Sequence, residues 1–390
     1  MRKMAWMAGL VLAGVTIGGG WAATRTEAAA SPLTAPPGVD PRPMGMFGQG
    51  PEVAVTLPGA RVGRGVSVGT PGVFASLALY PIYGVDQPDT PPVVPLHVAL
   101  AEGHATVREL PQKKVGTLRF QNDGIAPALA LTGTIFSGGE QDRMAAHDVL
   151  LPPGGEALRL AVFCVELNRW TPSRKGIRTK GRFGTLPILA GVDLRATAQL
   201  SDQRQVWEMV DAINAAHCEQ ADGAALATTL EDPIRDQVQH RLAARLDRFL
   251  EEVPASEHLV GVAVAVGGEF RSARVFASRA LFASFRSLIT RTAAFEVAMR
   301  EVLAKREETS PTSERPAAAQ VAAFMRHLER APDYQEEVDV SPASTTKLMM
   351  SHRGFGTATA WRAPGGDSVP LTASYVAHPK KPKRGASCKL

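Results

Sequence analysis

Two stretches within residues 133–170 place charged side chains directly beside apolar runs. The candidate ligand-binding residues there are Gln141, Asp142, Arg143, Glu166, Arg169 and Trp170. An arginine offers a planar fork of donors that fits a phosphate or a carboxylate. A carboxylate can serve as a base or accept hydrogen bonds from ribose hydroxyls. The chemistry that these residue types could support is recognition of an anionic small molecule.

The same charges also have a structural interpretation. Glu166 falls in a segment too apolar to leave a carboxylate unpaired, because a buried charge requires a partner. We predict that Glu166 pairs with Arg143 or Arg169, which would lock the loop after Gly139 onto the end of a strand. From the residues alone, a polar pocket and a buried ion-pair network are both open, and the two can coexist.

Cys164 lies among these charges and, with His147 or His104 as a base, could act as a nucleophile. The interpretation that we favour is a buried strand cysteine, because a free cysteine packs as a small apolar residue. A disulfide between Cys164 and Cys218 is compatible with an oxidising compartment, although spacing alone cannot show it. The third cysteine is Cys388, and an odd count without a Cys-x-x-Cys motif argues against a disulfide scaffold and a zinc site.

Three apolar segments would position these side chains as strands. Residues 128–136 lead to a glycine pair, residues 149–151 lead to a Pro-Pro-Gly-Gly turn, and residues 157–167 contain the cysteine. Side chains alternate between the two faces of a strand. The predicted core face of the last segment carries Phe163, Val165 and Leu167. The opposite face carries Val162, Cys164 and Glu166.

Residues 138–143, 149–153 and 162–170 together resemble the signature of the ARG- and rhodanese-phosphatase-superfamily-associated protein domain family. Other segments that are similar to this family are residues 115–122, 203–207, 262–268 and 281–285. The family takes its name from associations with ADP-ribosylglycohydrolase, rhodanese and phosphatase domains, and no reaction is established for it. By analogy, the resemblance implies a nucleotide- or ADP-ribose-like ligand.

The rest of the chain predicts strands first and helices afterwards. The predicted strands before the signature are residues 53–57, 66–68, 73–83, 97–100, 105–110 and 115–122. The predicted later elements are helices at 201–220, 233–249, 278–305 and 317–330, a hairpin of 259–266 with 269–276, and strands at 344–350, 357–361 and 368–376. The predicted fold class is α+β, with an antiparallel, β-rich sandwich or barrel-like N-terminal half followed by helices and a β-hairpin.

The first thirty residues have the composition of a secretory signal peptide. Arg2 and Lys3 precede an apolar segment, and three alanines that end at Ala30 supply small residues for cleavage. The apolar segment is short and rich in glycine, which favours cleavage over retention as a membrane anchor. We therefore expect a periplasmic or secreted protein that has no membrane association after cleavage.

Composition also predicts how the chain is divided. The predicted parts are a signal peptide (1–30), a flexible linker (31–51), the main α+β domain with the signature (52–305), a second linker (306–316), a C-terminal helix and strands packed on the main domain (317–378), and a disordered basic tail (379–390).

Charge and motifs exclude several function classes. The formal net charge of +5 depends mainly on the basic tail, so it says little about the folded surface. Basic residues are not interleaved with aromatic ones, and no phosphate loop, His-Glu metal motif or Gly-x-Ser-x-Gly elbow occurs. We expect no nucleic acid, no metal and no cofactor, assign no catalytic residue, and leave both the enzyme status and the protein partner open.

Two functions stay compatible with these observations. The first is an exported globular protein with an anion-accepting pocket at residues 138–143 and 164–170, which by family analogy would bind a nucleotide- or ADP-ribose-like ligand. The second is a non-catalytic secreted structural or interaction module whose signature residues form a buried ion-pair network.

Overall fold

A computed structural model provides the fold, and its described part lies within one compact unit. The described residues are 56–63, 65–112, 114–166, 173–174, 177–178, 180–200, 202–216, 226–230, 233–307, 314–363 and 368–379. The predicted signal peptide, the first linker and nearly all of the basic tail therefore lie outside the described residues. Within the described part, none of the helices has the length and apolar character needed to cross a membrane.

Short strands dominate the first half of the described chain, and longer strands and helices follow. The strands are β1 (Ala60–Gly63), β2 (Val66–Val68), β3 (Gly72–Phe74), β4 (Leu77–Gly84), β5 (Val94–Pro95), β6 (Ala105–Arg108), β7 (Thr117–Asn122), β8 (Ala128–Ala130), β9 (Thr134–Gly138), β10 (Arg143–Ala145), β11 (Val149–Leu151), β12 (Leu158–Cys164), β13 (Ser173–Arg174), β14 (Ile177–Arg178), β15 (Phe183–Leu189), β16 (Leu259–Val266), β17 (Glu269–Phe276), β18 (Tyr334–Ser341), β19 (Ser344–Ser351), β20 (Gly354–Arg362) and β21 (Ser368–Ala377). The helices are α1 (Leu96–Ala101), α2 (Val192–Leu200), α3 (Gln203–Ala216), α4 (Leu226–Leu230), α5 (Pro233–Glu252), α6 (Arg279–Glu307) and α7 (Ala318–Arg330).

Two antiparallel sheets carry most of the fold, which confirms the α+β class. The larger sheet has the order β1-β2-β4-β16-β17-β21-β20-β19-β18, with β3 paired to β4. The second sheet has the order β15-β9-β10-β12-β7-β6 and contains the signature strands. In a small third sheet, β5 runs parallel to β8. Because β21 pairs with β17, the C-terminal strands extend the same large sheet.

Helices cover both faces of the large sheet. On one face, α5 and α6 lie over a core that includes Val264 and Phe276. On the other face, α7 places Met325 and Leu328 against the buried ring of Tyr375. Burial of each such large apolar side chain stabilises the fold by about 1.5–3 kcal/mol, so the sheet is held from both sides.

The later elements agree closely with the sequence. The hairpin β16–β17 has the predicted bounds, and α6 and α7 begin within a residue of the predicted positions. The Ser278 hydroxyl accepts a hydrogen bond from the Leu281 N–H at 3.2 Å, so it caps α6 as expected. The strands predicted at residues 344–350, 357–361 and 368–376 correspond to β19, β20 and β21.

Residues 97–100 were predicted as a strand but belong to helix α1. Leu96 and Ala99, three positions apart, are the buried residues of this helix and face the core together. The prediction was wrong because an apolar run of only four residues is too short to show the periodicity that distinguishes a helix from a strand.

Residues 128–136 were predicted as one strand but form two, β8 and β9. Gly133 takes a φ of +87°, and the Thr134 N–H bonds the Leu131 carbonyl across the turn at 2.9 Å. A Cβ atom on Gly133 would lie 2.4 Å from Cδ of Arg195. This glycine therefore makes both the left-handed turn and the close approach of that arginine possible.

Candidate functional site

The signature strands bring the candidate residues together at one end of the second sheet. β10 pairs with both β9 and β12, and its register places Arg143 directly opposite Cys164. Residues opposite each other in an antiparallel pair share a face. The Arg143 guanidinium accordingly reaches the thiol, with 3.6 Å between Nη1 and Sγ. Residues 139–142, between β9 and β10, are called the signature loop below.

The glycine pair at the start of the signature loop allows a close approach of β15. Gly139 takes a φ of +50°, and a Cβ atom there would lie 2.1 Å from Cζ of Phe183 and 2.7 Å from Oε1 of Glu109. Its N–H donates to the Arg182 carbonyl at 3.1 Å. A larger residue would push the loop away from the sheet, so the glycine is required by packing as well as by backbone conformation.

Hydrogen bonds join the signature loop to the end of β12. The Asp142 N–H donates to Oε2 of Glu166 at 2.9 Å, and Nε2 of Gln141 donates to the Glu166 carbonyl at 3.0 Å. The Val165 N–H donates to the Asp142 carbonyl at 3.1 Å. Within the loop, Oδ1 of Asp142 accepts the Gly138 N–H at 2.9 Å. Loop and strand end therefore hold each other through both backbone and side chains.

Arg143 folds back over the loop that precedes it. Its Nη1 donates to the Gln141 carbonyl at 2.9 Å, and its Nη2 lies 4.0 Å from Oε1 of Glu109. The same Glu109 oxygen accepts the Glu140 N–H at 3.2 Å. Arg143 was one of the two partners predicted for Glu166. Its guanidinium is instead directed toward Glu109, because Arg143 lies opposite Cys164 in the strand pairing.

Four of the six candidate residues meet in this network, and all four are buried. Their exposed fractions are Gln141 0%, Asp142 0%, Arg143 2% and Glu166 4%. Arg169 and Trp170 lie outside the described residues, so pairing of Glu166 with Arg169 stays a prediction. We call Glu109, Gln141, Asp142, Arg143, Cys164, Glu166 and Gln203 the signature network.

Gln203 joins this network in a way that the sequence analysis missed. Its Oε1 accepts the Cys164 N–H and its Nε2 donates to the Cys164 carbonyl, both at 2.8 Å. The amide side chain thereby extends the strand pairing and fixes the start of α3 to β12. Its segment, residues 203–207, already resembled the family, which is the signal that could have identified it. Glu109 had no such signal.

Both faces of β12 and the residues just after it pack on apolar cores, so the predicted core face with Phe163 and Val165 is one of two; Leu167 lies outside the described residues. Leu160, Val162 and Cys164 are buried, whereas Phe163 is half-buried. The Val162 face packs on the core inside the second sheet, while Phe163 packs against the core under α3. Both faces meet apolar residues near the strand end, so the alternation of apolar residues could not show which face is buried more deeply.

Cys164 has the environment of a structural cysteine. Its thiol is free, fully buried, and donates to the Glu166 carbonyl at 2.9 Å. Burial raises the pKa of the Cys164 thiol, although the charge of Arg143 opposes this effect. The proposed base His147 is half-buried, and the loss of solvent around it lowers its pKa; His104 lies on the surface beside Glu102. Cys218 and Cys388 lie outside the described residues.

We predict that Cys164→Ala lowers the free energy of unfolding by roughly 1 kcal/mol, because it removes a small buried group and one weak hydrogen bond. In the native wild type, iodoacetamide should not label Cys164, since a protonated and buried thiol is unreactive. Peptide mass spectrometry after native and denatured labelling measures both states. Rapid native labelling of Cys164 would show instead that the thiol is accessible.

A second polar group, which sequence analysis missed, lies between the two sheets. The residues of this arginine cluster are Asp148, Asp193, Arg195, Arg271, Arg274 and Glu296. They come from a loop, two helices and one strand, and no spacing in the sequence connects them. Among the described residues, no group of three or more His, Cys, Asp or Glu side chains is arranged to hold a metal ion.

A β-bulge in β17 aims two arginines at this cluster. The register between β16 and β17 shifts at Val264 and Ala265, which leaves Arg271 as the extra residue. The shift reverses the alternation of faces, so Arg271 and Arg274, three positions apart, both point toward α2 and α6. Phe270 and Ala273 pack together on the opposite face, as the same reversal requires.

Ion pairs connect the cluster to both sheets. Nη1 of Arg274 donates to both carboxylate oxygens of Asp148, at 2.8 and 3.1 Å. Asp148 also accepts hydrogen bonds from the N–H and hydroxyl of Thr132, at 2.6 and 2.8 Å. Arg271 pairs with Asp193 of α2 at 2.5 Å. The turn before β9, the helix α2 and the large sheet therefore share one charged network.

Comparison with known proteins adds one finding. No curated protein and no solved structure gives a significant match. The model of the ARG and Rhodanese-Phosphatase-superfamily-associated Protein domain matches residues 65–363. This range contains the whole signature network and the whole arginine cluster, and it spans more than half of the chain. The resemblance seen in the signature is thereby confirmed, and the chain belongs to the ARG and Rhodanese-Phosphatase-superfamily-associated Protein domain family.

Proposed function

We propose that this protein is an exported, non-catalytic structural or interaction module in which the signature network acts as a buried lock. One observation carries the proposal: the signature side chains of Gln141, Asp142, Arg143 and Glu166 are at most 4% exposed. Their hydrogen bonds are directed to the backbone of the signature loop and of the strand end.

Burial of this kind favours a structural role over catalysis. A catalytic acid or base must come within hydrogen-bond reach of the substrate, and a nucleophile must touch it. The Glu166 carboxylate accepts from the Asp142 amide, and the Cys164 thiol donates to a carbonyl. Both of these reactive groups are thus already used to fix the local backbone.

Thermal unfolding with and without ligand tests this proposal. We expect that neither ADP-ribose nor inorganic phosphate raises the Tm of the wild type. Glu166→Gln and Arg143→Met should each unfold at a clearly lower temperature. The proposal fails if a ligand raises the wild-type Tm and both variants lose that rise while keeping nearly normal melting temperatures of their own.

A second candidate is an anion-accepting pocket at the same signature. One observation favours it: Nε of Arg143 has no hydrogen-bond acceptor among the described residues. A phosphate could accept a hydrogen bond at that position. The family analogy suggests a nucleotide- or ADP-ribose-like ligand. The ligand-dependent outcome of the same experiment would favour this candidate.

Export is a separate part of the proposal and is supported by the composition of residues 1–30. The basic start, the short apolar segment and the alanines before Ser31 fit a cleaved signal peptide. We expect mass spectrometry of periplasmic or secreted protein to find a mature N-terminus between Ala23 and Ser31. An intact Met1 on protein from the cytoplasm would contradict export.

A further inference from the structure

A small cavity lies within the arginine cluster, at some distance in the sequence from the signature. It has a volume of about 30 Å³ and is bounded by α6, β16, β17 and α2. Its walls are largely apolar and include Val262, Val264 and Ile289. The residues that bring polar side chains to it are Arg195, Ser272, Arg274, Thr292 and Glu296.

Two buried donors at this cavity lack an acceptor. Nε of Arg195 and Nη2 of Arg274 have no hydrogen-bond partner within the described part of the chain. The two residues are 6% and 5% exposed. A buried donor without a partner is costly, and more so when it carries charge. Two such donors at one cavity indicate an acceptor that sits between them.

Arg195 also lacks a direct counterion. Arg271 pairs with Asp193 and Arg274 pairs with Asp148, but no carboxylate within the described ranges forms an ion pair with Arg195. Burial, with a smaller contribution from the charge of Arg274, lowers the pKa of Arg195 to about 10. The guanidinium therefore stays protonated at neutral pH. The carboxylates of Glu296 and Asp148 oppose the lowering of its pKa, but neither forms an ion pair with it, so an acceptor in direct contact would stabilise this buried cation further.

Two of the other polar groups around the cavity, Thr292 and Glu296, are engaged elsewhere. Oγ1 of Thr292 accepts the Leu189 N–H at 3.0 Å and donates to the Leu288 carbonyl at 2.7 Å. One oxygen of Glu296 accepts the Val192 N–H, and the other lies 4.0 Å from Arg271. None of these bonds supplies the acceptor that the two arginine donors lack.

The volume limits the occupant to a few atoms. A single water requires about 10–15 Å³, and pockets for drug-sized ligands measure about 300–1,000 Å³. A nucleotide or ADP-ribose is therefore excluded from this cavity. Two cationic donors between apolar walls favour a negative acceptor, because charge-assisted hydrogen bonds are stronger than neutral ones.

We infer that this cavity binds one small monovalent anion of the size of chloride, held between Nε of Arg195 and Nη2 of Arg274. The site is independent of the signature network and extends the proposed function. The bound anion would neutralise Arg195 and join α2 to β17 of the large sheet.

Halide titration of the intact protein tests the site. Chloride or bromide should raise the Tm saturably above that in potassium gluconate at equal ionic strength, because a ligand that binds only the folded state stabilises it. Sulfate, which is too large, should not reproduce this shift. Arg195→Met should lose the halide-specific shift. Arg204→Met, which changes an exposed arginine on α3, should retain it.

A bromide-soaked crystal of the wild type gives a result that does not depend on a variant's folding. The expected result is an anomalous peak between Arg195 and Arg274. Water alone in the cavity, no difference between halide and gluconate, or a halide shift that persists in Arg195→Met would each overturn the inference.

Discussion

Replacement of Asp148 by asparagine is expected to lower the free energy of unfolding by about 3–5 kcal/mol. The Asp148 side chain is 1% exposed, and it is the ion-pair partner of Arg274, whose side chain is 5% exposed. It also accepts two hydrogen bonds from Thr132. Asparagine keeps the shape but removes the charge, so a buried guanidinium loses its counterion. Equilibrium urea denaturation measures the change.

The matched control is Asp339→Asn. Asp339 also pairs with an arginine, Arg362, but the two side chains are 72% and 42% exposed. Water and salt screen an exposed pair, so its loss should change the stability far less. If the two substitutions lower the free energy of unfolding equally, burial does not strengthen the contribution of Asp148 to stability.

Arg143→Met should lower the free energy of unfolding by about 3–5 kcal/mol as well. The substitution leaves the largely buried Glu109 carboxylate without its cation and the Gln141 carbonyl without its donor. Methionine retains most of the apolar contact of the arginine stem, so the loss reports mainly on charge and hydrogen bonding. Urea denaturation again provides the measurement.

Arg204→Met serves as the control for this second substitution. Arg204 pairs with Glu208 one helical turn away on α3, and its side chain is 71% exposed. We expect nearly wild-type stability for this variant. If Arg143→Met is as stable as Arg204→Met, Arg143 is not part of a lock, and the proposed structural role of the signature would be wrong.

The sequence predicted well those features that depend on neighbours along the chain. The Gly-Gly turn and alternating apolar residues defined the hairpin β16–β17, and the Ser278 cap with helical spacing defined α6. The signature residues of β10 and β12 were also grouped correctly, because antiparallel pairing of the two strands brings the signature loop beside the end of β12.

Features that depend on tertiary geometry were missed. The residues of the arginine cluster are spread along the sequence from Asp148 to Glu296. Arg271 belongs to the cluster only because β17 contains an extra residue. Nothing local marks this bulge in a chain of alternating residues. The role of Gln203 depends on the docking of α3 against β12, which periodicity alone does not determine.

Hydrogen exchange of the signature loop distinguishes a sealed, buried network from a pocket that is open to solvent. The Asp142 amide lies outside any strand, yet it donates to the buried Glu166 carboxylate, and the Gly138 amide donates to Asp142. If the network is sealed, these amides should exchange as slowly as those of β16, because exchange would then require unfolding of the core. Exchange of the Asp142 amide as fast as that of the loop at the fully exposed Ile125 would mean that solvent reaches the signature, and would contradict the account.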